Sequence, residues 1–95
     1  MFILMGKANL FIPDSHSLKD KRMVIKSLGE KLKYKYKLSF AETGEHHKWQ
    51  RAEIGIAAVS REYTYLEVLE NMVKYFILDN YPVEILDWDF EIIKK

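Results

Sequence analysis

The residues best suited to binding chemistry are basic residues that recur at helical spacing between positions 19 and 37. This spacing places side chains on one side of an α-helix, where a row of cations can follow the phosphates of an RNA strand. The basic row consists of Lys19, Arg22, Lys26, Lys33 and Lys37. At a rise of about 1.5 Å per residue the row extends over roughly 27 Å. It predicts an RNA-binding helix, and a solvated helix face is the alternative interpretation.

Lys21 belongs to the same segment but falls on the apolar side of the predicted helix, in line with Ile25 and Leu28. A lysine there either extends past the edge of the apolar surface to water or meets a carboxylate. Glu42 and Glu53 are the candidate partners. The pair is then a structural salt bridge, or it belongs to an anion site at the helix start, where free N–H groups and the helix dipole favour negative charge.

An aromatic and basic cluster, Trp49-Gln50-Arg51, opens a predicted strand. Trp49 and Arg51 share the strand face that points away from the helices. Such a pair can stack on and bind a nucleotide, or it can anchor a homodimer as an aromatic and arginine contact. Together with Lys21 and Glu42, these three residues form a candidate anion or interface site.

Other kinds of chemistry lack their residues. There is no cysteine, and the four glycines do not form a phosphate-binding loop. The only histidines are His16, His46 and His47, which do not supply three or four converging metal ligands. Asp87 and Asp89 share one strand face, where strand-edge solubility or a salt bridge to the basic helix explains them better than a paired-acid site. We therefore expect no enzyme activity, metal or cofactor.

Length and composition indicate one folded domain over residues 1–95. The chain is 48% hydrophobic and 31% charged, which allows a core and a well-solvated surface. No run approaches 18 apolar residues, and the apolar start of the chain is too short for a signal peptide. We expect a cytoplasmic protein that makes no membrane contact.

The net charge of +1 conceals a strong asymmetry. Residues 19–37 are strongly basic, whereas residues 62–92 are strongly acidic. The two segments either neutralise each other, within one chain or across a dimer, or they leave a cationic surface for an anionic partner such as RNA.

Apolar periodicity and turn residues predict six elements. They are a strand over 2–12, a helix capped by Ser15 or Ser17 and ending near Tyr36, strands over 38–43 and 49–60, a helix over 63–80 and a strand over 83–92. The order β-α-β-β-α-β, with right-handed crossovers, predicts an α+β ferredoxin-like sandwich. Its four-stranded antiparallel sheet carries both helices on one face.

Three finer expectations follow from this arrangement. Gly6 and Ala8 are small, as if a helix packs closely over them, and Met72 belongs to the buried side of the second helix. The sheet face without helices carries apolar residues, namely Ile3, Met5, Phe11, Trp49 and Val59. Exposed apolar surface of this kind marks an interface. A homodimer packed through this open face is favoured, and a stacking platform for single-stranded RNA is the alternative.

Several motifs resemble one bacterial family. They are Ser17-Leu18-Lys19-Asp20-Lys21-Arg22, Ala41-Glu42-Thr43-Gly44 and Trp49-Gln50-Arg51-Ala52, followed by Gly55 and Val59-Ser60. In this order and spacing they resemble the YlxP-like family, domain of unknown function 503, although His47 stands where the family often has an acidic residue. The resemblance implies a small ferredoxin-like protein without an assigned reaction. It also implies genes that lie beside those of a translation-initiation factor and a ribosome-binding factor.

These observations lead to one expected function and one alternative. We expect a non-enzymatic accessory factor that binds ribosomal RNA or a ribosome-assembly intermediate through the basic row. The alternative is a homodimeric regulatory or small-anion-binding protein with a pocket near Lys21, Arg22, Trp49 and Arg51.

Overall fold

The computed structural model describes residues 1–95. The elements are β1 (Phe2–Phe11), α1 (Leu18–Tyr36), β2 (Ser39–Gly44), β3 (Arg51–Ser60), α2 (Tyr63–Asn80) and β4 (Glu84–Lys94). All neighbouring strands are antiparallel, in the order β2-β3-β1-β4. The two helices pack on one face of this sheet, so the predicted ferredoxin-like α+β fold is confirmed.

Local signals fix both ends of α1. The Ser17 side chain caps the helix by accepting from the Asp20 N–H at 3.0 Å, and the Asp20 carboxylate accepts from the His16 N–H at 3.0 Å. The helix ends at Lys37, which adopts a left-handed conformation (φ 54°) and donates its N–H to the Lys33 carbonyl. These caps satisfy backbone groups that a helix end would otherwise leave unpaired.

The core lies between the sheet and the two helices. Alternation along β1 and β3 buries one side of each strand, and both helices contribute a buried stripe. The largest fully buried apolar side chains are Leu4, Leu10, Ile12, Leu28, Leu32, Ile54, Leu66, Leu69, Val73 and Ile77. The sequence predicts Met72 among them, but it is 39% exposed, because its position lies at the border of the buried stripe of α2, beside a surface groove.

Two glycines make room for aromatic rings. At Gly6 an added Cβ would overlap the Phe90 ring and the Asp89 carbonyl, so a β4 side chain occupies the space that was assigned to a helix. At Gly29, on α1, a Cβ would lie 2.6 Å from the Phe40 ring of β2. Gly29 therefore lets the helix and the edge strand approach, which offsets its weak helix propensity.

The strand order separates the charged segments. The basic helix α1 packs over β2 and β3, whereas the acidic segment forms α2 and β4 toward the opposite edge. The three ion pairs of the structure all lie around the β2–β3 loop, and none joins the two segments. Their charges do not neutralise each other through ion pairs within one chain. No helix is both long and apolar enough to cross a bilayer.

Candidate functional site

A buried lysine joins α1 to the two strands of the β2–β3 hairpin. The Lys21 side chain is completely buried, and its Nζ lies 3.0 Å from Glu42 Oε2. The same Nζ donates to the Glu45 carbonyl at 2.7 Å and to the Arg51 carbonyl at 3.1 Å. Of the two candidate partners for Lys21, Glu42 is the one that the fold brings into contact. The Lys21 ammonium is thus buried and directed to three oxygens of the chain, which leaves it inaccessible to a ligand.

The loop between β2 and β3 is held at both ends. It turns at Glu45, which has a left-handed conformation (φ 63°). At its far end Gln50 Nε2 donates to the Pro13 carbonyl at 3.1 Å, and the Gln50 carbonyl accepts from the Ile12 N–H at 2.8 Å. These bonds attach the hairpin loop, residues 45–50, to the loop between β1 and α1.

The expected start of the third strand at Trp49 is therefore wrong by two residues. β3 begins at Arg51, and Trp49 lies in the hairpin loop. The physical reason is that Lys21 takes the carbonyls of Glu45 and Arg51. Gln50 directs its backbone and side chain to the β1–α1 loop, so regular pairing with β2 does not extend this far.

Two carboxylates at this end of the sheet, Glu42 and Glu45, already have cationic partners. Glu42 pairs with Lys21, and its second oxygen lies 3.9 Å from His46 Nδ1. Glu45 Oε2 lies 2.9 Å from Lys48 Nζ. Hydrogen bonding to Lys48 lowers the pKa of Glu45 against opposing desolvation, and the charges of Lys48, Arg51 and Lys21 lower that pKa further. Both carboxylates are thus matched by nearby positive charge.

Trp49 and Arg51, by contrast, lack partners. Trp49 is 48% exposed, and its indole N–H makes no hydrogen bond. The Arg51 guanidinium is part of no ion pair, and its Nε is buried without a hydrogen-bond acceptor. Arg22, the neighbour of Lys21 on α1, is exposed and unpaired as well. Cations for an anion at this end are therefore Arg22 and Arg51 rather than Lys21.

The basic row lies along the flank of α1 that borders the sheet edge. All five of its side chains are exposed, and none forms an ion pair. Arg22, Lys26 and Lys33 line a groove of about 290 Å³ whose other wall includes Phe40 and Glu42 of β2. The middle of the row therefore lies beside the β2 edge rather than directly opposite the buried side of the helix.

Other lysines of α1 lie over aromatic rings. Lys31 Nζ is 5.5 Å from the centre of the Tyr81 ring, and Lys35 Nζ is 5.0 Å from that of Phe76. Lys37 Nζ, a member of the basic row, lies 5.1 Å from the centre of the exposed Tyr34 ring. Lys31 and Lys35 thus face α2, whereas the basic row faces the β2 edge.

The open sheet face is more polar than its apolar residues suggested. Met5 and Val59 are exposed there, and so is Ile93 of β4. In the middle of the face Lys7 stands between Gly55 on β3 and Asp89 on β4. Small side chains on β2 and β3 leave a shallow trough of about 670 Å³ beside these charges. The alternation of β1 puts Lys7 on this face, and the register with β4 puts Asp89 next to it.

Asp87 and Asp89 face outward on β4 and join no ion pair. No group of three or more histidine or acidic side chains is placed to hold a metal ion. The fold brings Lys21, Glu42, Gln50 and Arg51 together with Trp49 at one end of the sheet. The basic row begins near this end, with Lys19 and Arg22, and continues along α1.

The fold and the site define a class of protein. It is a ferredoxin-like α+β protein in which the start of α1, with Lys21, meets the β2–β3 hairpin at one end of the sheet. A family model described as "Protein of unknown function (DUF503)" matches residues 3–90. The chain is also similar to "Uncharacterized protein YlxP" of Bacillus subtilis (strain 168), with 39% identity over 77 residues, 81% of this chain and 83% of the relative. The chain therefore belongs to the DUF503 family, and the resemblance found in the sequence is confirmed.

Proposed function

We propose that this protein is a non-enzymatic accessory factor that binds RNA through the basic row of α1. The observation that carries the proposal is that all five cations of the row are exposed and unpaired. Acidic residues three or four positions away would stabilise the helix and reduce the positive field of such a row. Here only Glu30 interrupts the row, and the acidic segment lies toward the opposite edge of the sheet.

The geometry suits the backbone of a nucleic acid. The row extends over about 27 Å along the helix. Three of its cations line the groove beside β2, where the acidic lining residues are Glu30 and Glu42, and Glu42 is paired with Lys21. Five phosphate contacts correspond to a slope of log K against log salt of about −3.5 for single strands and about −4.5 for duplexes.

Ribosomal RNA, or an intermediate in ribosome assembly, is the proposed target. The family resemblance supports this choice, because it implies that the genes of the family lie beside the genes of a translation-initiation factor and a ribosome-binding factor. The charge pattern supports RNA in general and does not by itself favour one RNA over another.

The test is sedimentation of the protein with small and large ribosomal subunits on sucrose gradients at low and physiological salt. The informative variant is Lys26→Glu/Lys33→Glu, which reverses two charges in the middle of the row. The matched control is Lys94→Glu/Lys95→Glu, which makes the same change in charge at two exposed residues of the C-terminus.

We expect the wild type and the control to co-sediment with one subunit at physiological salt, and the Lys26→Glu/Lys33→Glu variant to be lost from it. Equal loss in both variants would mean that only net charge matters, which contradicts a role for the row. Failure of the wild type to co-sediment at either salt would overturn the ribosomal proposal.

A second candidate is the homodimeric regulatory protein. The exposure of Met5, Val59 and Ile93 favours a partner copy on the open sheet face. A small anion would bind near Arg22, Trp49 and Arg51, since Lys21 is fully occupied within the chain. This candidate predicts binding of one small anion with little effect from charge changes at Lys33 or Lys37.

A further inference from the structure

The two tryptophans of this chain have opposite environments. Trp88 stacks on Phe90 with ring centres 4.2 Å apart, and its indole N–H donates to Glu70 at 3.0 Å. Trp49 has no aromatic partner and no hydrogen bond, and nearly half of its surface is in water. Trp88 is therefore part of the packing, whereas the exposed part of Trp49 is available to a ligand.

The loop that carries Trp49 is held in place on both sides. Lys21 binds the carbonyls of Glu45, at the start of the loop, and Arg51, just after it. Gln50, the residue after Trp49, donates to the Pro13 carbonyl. A ring on a restrained backbone loses little conformational entropy when a flat ligand stacks on it. The exposed indole is thus part of a prepared surface rather than a flexible tip.

Three acidic side chains near the hairpin loop have partners within the chain. Glu42 and Glu45 are paired with Lys21 and Lys48, and the Glu53 carboxylate accepts a hydrogen bond from Thr43. Arg51, two residues from Trp49, has no ionic partner, and its Nε lacks an acceptor. An exposed aromatic ring two residues from a guanidinium without an ion pair suits a ligand that is both flat and rich in acceptors, such as a nucleotide.

The position of the loop connects this site to the basic row. Lys21 of α1 contacts the carbonyls on both sides of the loop, and the next residue, Arg22, belongs to the row. A strand whose phosphates follow α1 would therefore reach the loop at the start of the helix. In a duplex the bases are stacked on each other, so only an unpaired base can lie on the indole.

We propose that Trp49 and Arg51 form a site for an unpaired RNA base, which stacks on the Trp49 indole while Arg51 binds an acceptor of the same nucleotide. This inference rests on the proposed RNA binding and specifies its substrate as single-stranded. It assigns recognition of the base to the hairpin loop and recognition of the backbone to the basic row.

The test compares a 12-nucleotide oligouridylate with a 12-base-pair RNA duplex as probes. Affinities are measured by fluorescence anisotropy of a labelled probe for the wild type, Trp49→Ala and Trp49→Phe. Tyr75→Ala, which removes a similarly exposed aromatic ring from α2, is the control. We expect Trp49→Ala to lose roughly 5- to 150-fold in affinity for the single strand. Trp49→Phe should lose less, and Tyr75→Ala should bind as the wild type does.

Intrinsic fluorescence gives a readout that does not depend on a change in affinity. Stacking of a base on Trp49 should quench the wild-type emission when the single strand saturates the protein. The Trp49→Phe variant, whose remaining emission comes from the packed Trp88, should show no such quenching. Thermal unfolding followed by circular dichroism shows whether each variant is folded.

The outcomes separate this inference from the proposed function. If Lys26→Glu/Lys33→Glu weakens RNA binding but Trp49→Ala does not, RNA binding stands and the base site is wrong. If neither RNA probe binds the wild type, RNA binding itself fails. If Trp49→Ala changes only the sedimentation coefficient of the protein, Trp49 belongs to an interface between copies of the chain, which also overturns the base site.

Discussion

Replacing Lys21 by methionine is the sharpest perturbation of the fold around the site. Methionine keeps the length and the apolar stem of the side chain but removes its charge and its three donors. The substitution leaves Glu42 Oε2, the Glu45 carbonyl and the Arg51 carbonyl without their common partner. β2 and β3 would stay joined by their backbone pairing, but α1 would lose its ion pair and hydrogen bonds to them.

The expected loss of stability follows from these contacts. Removing one member of a buried ion pair costs about 3–5 kcal/mol, because the other charge stays behind uncompensated. The Glu42 side chain is 19% exposed, so water can replace part of what Lys21 supplied. We therefore expect a loss of about 3 kcal/mol, at the lower end of that range. For a domain of this size such a loss lowers Tm by about 12–24 °C.

The assay is urea unfolding at pH 7 followed by circular dichroism. With typical m-values the midpoint should fall by about 1–3 M while m stays unchanged. Lys26→Met, which changes an exposed lysine of the same helix, should stay within about 0.5 kcal/mol of the wild type.

A second variant separates the ion pair from the packing of the lysine stem. Lys21→Met/Glu42→Leu removes the remaining charge together with its partner, so it should be more stable than Lys21→Met alone. A loss below about 1 kcal/mol for Lys21→Met would refute the reasoning, because a buried ammonium with three acceptors cannot be removed so cheaply.

Three further predictions concern separate parts of the molecule. The pKa of Glu45 is lower in the folded protein than its ordinary value of 4.5 in an unfolded chain. The Glu45 carboxylate is therefore harder to protonate in the folded state. Its contribution to stability is therefore present above that pH and is lost as the pH falls through the folded pKa, so Glu45→Gln should reduce the acid sensitivity of the urea midpoint below pH 4.5. Gly29→Ala should destabilise by about 1–3 kcal/mol despite the better helix propensity of alanine, and Phe40→Leu should relieve part of that cost in the double variant, as measured by thermal unfolding. If the open sheet face joins two copies, Val59→Asp should yield a monomer in sedimentation equilibrium, and a variant that sediments like the wild type would exclude that face.

The elements were predictable because each has a clear local signal. Ser17 and Asp20 mark the start of α1, and the stripe of Leu66, Leu69 and Val73 marks the buried side of α2. Alternation along β1 separated the buried from the open face of the sheet. Met72 was misplaced because a methionine at the border of the apolar stripe suits either environment, and only the packing of the helices decides between them.

The contacts that required the structure are those between backbone groups and between strands. Helical periodicity placed Lys21 on the apolar side, but two of its three acceptors are carbonyls of the hairpin. Their direction depends on the left-handed turn at Glu45, which its residue type does not signal. The role of Gly6 depends on the position of Phe90, which a bulge in the pairing of β1 with β4 helps to set.

The polar and aromatic residues of the family motifs divide into two groups, and members of the two groups are neighbours in the sequence. Lys21, Glu42 and Gln50 have their polar atoms directed to partners within the protein, so their chemistry is used to join α1 to the loops. Their sequence neighbours Arg22 and Trp49 project into water without partners. Loss of the first group should change binding only through the geometry of the second. A search for the ligand should therefore begin with Arg22 and Trp49, and a change at Lys21 should be interpreted as a change in the surface that it supports.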